Sequence, residues 1–130
     1  MNEHEIEFVN AFVPKIRRER ILAMLTVPKL RHKFRFELHH PKSSLLIPEY
    51  IRSIAPSQQT PTLILQALKK AGAPDRCWAI GNQFDATFVN LDDALHDVVG
   101  AQMGTILSCI PGRLAYFESE EDRVILSKPV

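Results

Sequence analysis

Cysteine is scarce in this chain of 130 residues: Cys77 and Cys109 are the only two, and no Cys-x-x-Cys spacing occurs. That excludes a disulfide-dense secreted scaffold and a zinc site built from thiolates alone. Glycine is thin too, at five residues, which removes collagen-like and glycine-rich low-complexity readings. Apolar runs reach only a handful of residues, far below the roughly 20 needed to span a bilayer as a helix. The first residues, Met-Asn-Glu-His-Glu-Ile-Glu, are acidic where a signal peptide is basic. A cytoplasmic protein with reduced thiols and no membrane association is the expectation. The phosphate-loop pattern Gly-x4-Gly-Lys-Ser/Thr, the zinc motif His-Glu-x-x-His and the acidic spacing of a calcium loop are all missing.

What is present suits one globular domain. Hydrophobic residues make up 45% and charged residues 24%, enough to bury a core. The formal charge of +1 hides an asymmetry: residues 1–59 hold ten Lys/Arg against six Asp/Glu, and residues 60–130 hold six against nine. Between Pro14 and Lys42 the excess is sharper, nine Lys/Arg against Glu19 and Glu37. Such asymmetry points to an anionic partner or to attraction between the two halves.

Three stretches follow along the chain. Residues 1–42 read as a basic helical layer. Ile6, Val9 and Phe12 share a helical face, Pro14 ends that helix, and Leu22 and Leu25 mark a second. Thr26 is placed to cap a third helix, in which Leu30, Phe34 and Leu38 recur at i, i+4 and i+8. Lys33–Leu38 also alternates as a half-buried strand does; the Lys, Arg, Leu and Glu content favours helix. Residues 43–60 read as a proline-rich connector, with a helical turn around Glu49–Ile54. Residues 61–130 read as an α-β-α-β-β-β core. Thr60-Pro61 opens a helix that Gly72 stops, Cys77–Ile80 is a buried strand, and Asn90 caps a second helix that Gly100 stops. Strands at 105–110, 114–118 and 123–127 follow as an antiparallel meander, with Tyr116 and Phe117 on opposite faces. The fold class is therefore α+β, a helical N-terminal layer packed on a small antiparallel sheet.

Several residue sets carry candidate chemistry. Arg17, Arg18, Arg20, Arg31, Arg35 and His39, with Lys15, Lys29, Lys33 and Lys42, form a basic surface able to meet carboxylates or phosphates. The pI of about 7.8 lies below the strongly basic range of nucleic-acid binders. A winged helix is excluded because the helix before the strand hairpin carries Asp92, Asp93 and Asp97 and no Lys or Arg. A thiol enzyme would need Cys109 as nucleophile, His96 as base and Asp92 to orient it. Metal binding could draw on His32, His39 and His40, but His32 and His39 stand about two helical turns apart, too far to share one ion without a third ligand between them, so no metal and no cofactor is expected. The reading is a small non-catalytic binding module that uses its basic N-terminal surface for an acidic protein or nucleic acid. The alternatives are the Cys109/His96 enzyme and a homodimer built through the N-terminal helices.

Overall fold

The structure, a computed structural model, describes residues 2–42 and 44–129; Ser43, at the start of the expected connector, lies outside them. Three helices come first: α1 (Glu3–Phe12), α2 (Lys15–Thr26) and α3 (Pro28–His39). A 3-10 turn, Pro48–Tyr50, leads into β1 (Ile51–Ser53). Then come α4 (Pro61–Lys70), β2 (Arg76–Gly81), β3 (Thr87–Asn90), α5 (Leu91–Val98), β4 (Thr105–Ile110), β5 (Leu114–Glu118) and β6 (Arg123–Ser127). The fold is α+β, with all strands in one antiparallel sheet of order β1-β6-β5-β4-β2-β3.

Local chemistry sets the helix starts. The Asn2 side chain accepts from His4 N–H, Thr60 from Leu63 N–H and Asn90 from Asp93 N–H, each relieving an orphan donor of the first turn. Gly72 and Gly100 hold positive φ at the ends of α4 and α5. Thr26 behaves otherwise than expected. Its hydroxyl donates back to Leu22 O at 2.8 Å, inside α2, and the N-cap of α3 is Val27 with no side-chain bond. Residues 29–39 are helical, with Phe34 and Leu38 buried and Phe36 on the outer face.

Two strands depart from the α-β-α-β-β-β expectation. β3 pairs with β2 (Trp78 opposite Phe88), so the C-terminal half runs α-β-β-α-β-β-β. β1 arises in the connector, where a helical turn over Glu49–Ile54 was expected; only Pro48–Tyr50 turns, and Ile51–Ser53 pair with β6. Both are edge strands of three or four residues with mostly exposed side chains, held by backbone bonds rather than by an alternating apolar pattern.

The sheet is covered on both faces. α1–α3 and the connector residues Leu45 and Leu46 pack against Ile80, Ile106, Phe117 and Leu126. α4 and α5 pack against Cys77, Ala79, Leu107, Cys109 and Tyr116 on the other face. β4 and β5 are therefore buried on both sides, and Tyr116 and Phe117 enter opposite cores.

Candidate functional site

The basic segment divides into side chains that turn inward and side chains that face out. Arg31 is the centre of the inward set. One edge of its guanidinium grips Glu5 (Nη1–Oε1 2.8 Å, Nη2–Oε2 3.0 Å) and another grips Asp85 (Nη2–Oδ1 2.7 Å, Nε–Oδ2 3.1 Å). Nη1 also donates to Leu25 O. Trp78 Nε1 donates to Glu5 Oε2 at 2.8 Å, and Arg35 Nη1 donates to Asp85 Oδ2 at 2.9 Å. The cluster joins α1, α3, β2 and the β2–β3 turn. Paired forks of this kind are the strongest hydrogen-bonded arrangement open to a carboxylate.

Electrostatics follow from that geometry. Burial alone would push the Asp85 carboxyl up. The Arg31 and Arg35 guanidiniums and the Gly81 N–H outweigh it, so the carboxyl sits below its ordinary value. For Arg31, burial works against the charge, and the hydrogen bonds and charges of Asp85 and Glu5 more than restore it, raising its pKa. Glu5 is 1% exposed, and Arg31 and Trp78 supply the partners that a buried carboxylate requires.

The other expected binding residues are scattered across the outer surface. Arg17 donates to Ser44 Oγ at 2.8 Å, Arg18 to Val13 O at 2.9 Å, and Arg20 makes a long, exposed pair with Glu37 at 3.4 Å. His39 is half-buried, and its Nδ1 accepts from Gly104 N–H at 3.4 Å. Lys15, Lys29, Lys33 and Lys42 are exposed. Among the described residues, none of Lys15, Arg17, Arg18, Lys29, Lys33 and Lys42 forms a salt bridge. On α3, Lys29, Lys33 and Phe36 recur at i, i+4 and i+7 on the outer face, and Phe36 is 66% exposed.

The thiol alternative is not assembled in this fold. Cys109 is buried beneath α4 and α5, where its Sγ meets Leu107 O. Burial raises its pKa well above the ordinary thiol value, and the neighbouring Cys77 adds to the rise. His96 stands on the exposed side of α5, its Nδ1 against Asp92 of the preceding turn. Sequence reasoning missed a hydroxyl–imidazole contact that the fold does make, His4 Nδ1 to Ser108 Oγ at 2.7 Å. Ser108 is 1% exposed under α1, closed to a substrate, so this contact fastens α1 to β4. Burial lowers the His4 pKa, against a smaller opposing effect of Glu3, and favours the neutral ring.

Glu118, the last residue of β5, opens an acidic run in the sequence and is nonetheless fully buried. It accepts from Gly100 N–H (3.0 Å), Gln102 N–H (2.7 Å) and Tyr116 OH (2.8 Å), and it pairs with Arg123 (3.3 Å). These contacts hold the loop between α5 and β4 to the end of β5, and the same loop then passes close to α3. There Gly104 comes so close that a Cβ would lie 2.2 Å from Leu38 C. The same loop and the β5–β6 hairpin bring His39, His40 and Glu120 together.

No protein-family model, curated protein or solved structure matches this chain. Among the described residues, no helix is long and apolar enough to cross a membrane.

Proposed function

We propose that this chain is a non-catalytic binding module that presents the outer face of α2 and α3 to an anionic partner. The observation that carries the reading is the α3 stripe of Lys29, Lys33 and Phe36, exposed and without a carboxylate partner among the described residues. Solvated cations beside an exposed aromatic suit a surface that docks an acidic partner, with the ring excluding water from the charge pairs. An acidic protein surface fits better than nucleic acid. The pI of about 7.8 is modest, and the two arginines best placed on α3 to fork a phosphate already hold Glu5 and Asp85. The cytoplasm is the compartment this reading assumes, in keeping with two unpaired thiols.

A second reading, a homodimer through the N-terminal helices, draws on Ile16, which is 93% exposed on α2. Sedimentation of the wild type and Ile16→Glu addresses it: a dimer that the substitution dissociates supports this reading, and a monomer in both removes it.

The test of the first reading is fluorescence anisotropy with a labelled oligo-glutamate peptide and a labelled single-stranded oligonucleotide, at low and moderate salt. Lys29→Gln/Lys33→Gln should weaken peptide binding about tenfold, two contacts of roughly 0.7 kcal/mol each. Lys70→Gln/Arg113→Gln, which removes equal charge elsewhere, should change little. Equal weakening by both pairs, or no binding to either probe at low salt, overturns the reading. Preference for the oligonucleotide would transfer it to nucleic acid.

A further inference from the structure

We propose that His39, His40 and Glu120 form a binding site for a divalent transition-metal ion of the zinc class. The site lies where the C-terminal end of α3 meets the β5–β6 hairpin, and it is independent of the partner-binding reading. One ring nitrogen of each histidine and one Glu120 carboxylate oxygen lie within 4.8 Å of one another. The sequence offered no such set because the histidines of α3 lack a third ligand within their own helix. The fold supplies that ligand from a residue some eighty positions away in the chain.

The backbone around these side chains is fixed from both sides. Glu120 N–H donates to His39 O at 3.1 Å, which ties the hairpin to the last turn of α3. Within the hairpin, Ser119 N–H donates to Asp122 O at 2.9 Å, and Asp122 N–H to Ser119 Oγ at 3.0 Å. His40 N–H still closes onto Phe36 O, and Pro41 prevents the helix from running on. His39 and His40 stand edge to face with ring centroids 4.5 Å apart. The 3.4 Å bond from Gly104 N–H holds the His39 ring only loosely, so that ring can turn to give an ion either nitrogen.

The donor set decides the class of ion. Two imidazoles and one carboxylate suit zinc and its first-row neighbours, whereas calcium and magnesium take oxygen ligands. A tetrahedral zinc ion with bonds of about 2.0–2.1 Å places its ligands roughly 3.3 Å apart. The spread here must therefore contract. His40 and Glu120 are each about half exposed, so rotamer changes of the two side chains allow it. His40 Nδ1 and Glu120 Oε2, by contrast, stand 2.5 Å apart, and this pair opens to the tetrahedral spacing as the ion enters between them. The ligands line a cavity of about 180 Å³ completed by Pro41, Ser119, Glu121 and Asp122. Its lining carries three carboxylates and no lysine or arginine. Three protein ligands in an open cavity leave at least one coordination position to water.

Titration calorimetry of the untagged full chain with zinc chloride, and in parallel with calcium chloride, tests the site. One zinc per chain is expected, with little heat from calcium. His40→Ala and Glu120→Gln should each weaken zinc binding about tenfold or more, and His32→Ala, on the exposed face of the same helix, should leave it intact. Zinc should raise the Tm of the wild type and of His32→Ala but not of the two ligand variants, since it binds the native state across two elements. Cobalt(II) in place of zinc should give visible absorption that both ligand variants lose. Because residues 40 and 120 are exposed, the variants should fold, and circular dichroism verifies it. Absence of zinc binding, zinc binding unchanged in both ligand variants, or equal affinity for calcium would overturn the proposal.

Discussion

Cys77 and Cys109 sit at 0% and 2% exposure on adjacent strands of the second core, and their chemistry follows from that position. Burial pushes the Cys77 thiol up to about 12, and Cys109 is raised further still. Since the thiolate is the reactive form, both should react with a disulfide reagent at pH 8 no faster than the protein opens, and addition of urea should accelerate both together. Rapid labelling of Cys109 in the native state, at a rate governed by a group titrating near neutrality, would restore the thiol-enzyme alternative. The polar residues tell a parallel story. Glu5 and Glu118 are charged types at positions of almost no exposure, each engaged by several donors. Nothing in the sequence around either residue marks it as buried. Glu5 stands between Glu3 and Glu7 in an acidic stretch, and Glu118 begins an acidic run. Their partners come from distant elements, which no local pattern announces.

At the scale of elements, the parts that were legible are those whose stability is local. Thr60 and Asn90 cap, Gly72 and Gly100 stop, and of the i, i+4, i+8 stripe of α3, Phe34 and Leu38 are buried and Leu30 partly so. The parts that were not legible depend on pairing. β1 and β3 exist because β6 and β2 offer them backbone donors and acceptors, so a short segment with few buried side chains becomes a strand without a sequence signature. The metal candidate was half visible for the same reason: His39 and His40 were noted, while Glu120 joined them only through the hairpin's contact with α3. Gly104 makes possible a neighbouring contact, that of the α5–β4 loop with α3. Gly104→Ala would set a Cβ 2.2 Å from Leu38 C, so α3 or the loop must move. A loss of about 1–3 kcal/mol in urea denaturation is the expected cost of such overpacking. An unchanged midpoint would mean that the two segments are not held this closely in solution.

For the whole molecule, the opposite charges of the two halves have a partial explanation inside the chain. Arg31 and Arg35 of the basic half hold Asp85 of the acidic half, and Arg31 reaches the buried Glu5 as well, so the helical layer and the sheet meet at a partly buried ion cluster. The remaining cations of α2 and α3 do not share in it, and they supply the surface proposed for a partner. Under the proposed function, neighbouring basic residues of one helix have two different tasks. Trp78, the only tryptophan, donates to Glu5 at the centre of the cluster, so its fluorescence reports on this junction. The most direct test is urea unfolding followed by Trp78 emission, comparing the wild type with Arg31→Met and with Lys29→Gln/Lys33→Gln. Removing Arg31 leaves Glu5 buried without its main partner, and the account predicts a loss of about 3–5 kcal/mol. The lysine pair is exposed, and its loss should shift stability by no more than about 0.5 kcal/mol. If Arg31→Met proves as stable as the lysine variant, Arg31 does not clamp the two layers, and the division of the basic segment into inward and outward sets fails.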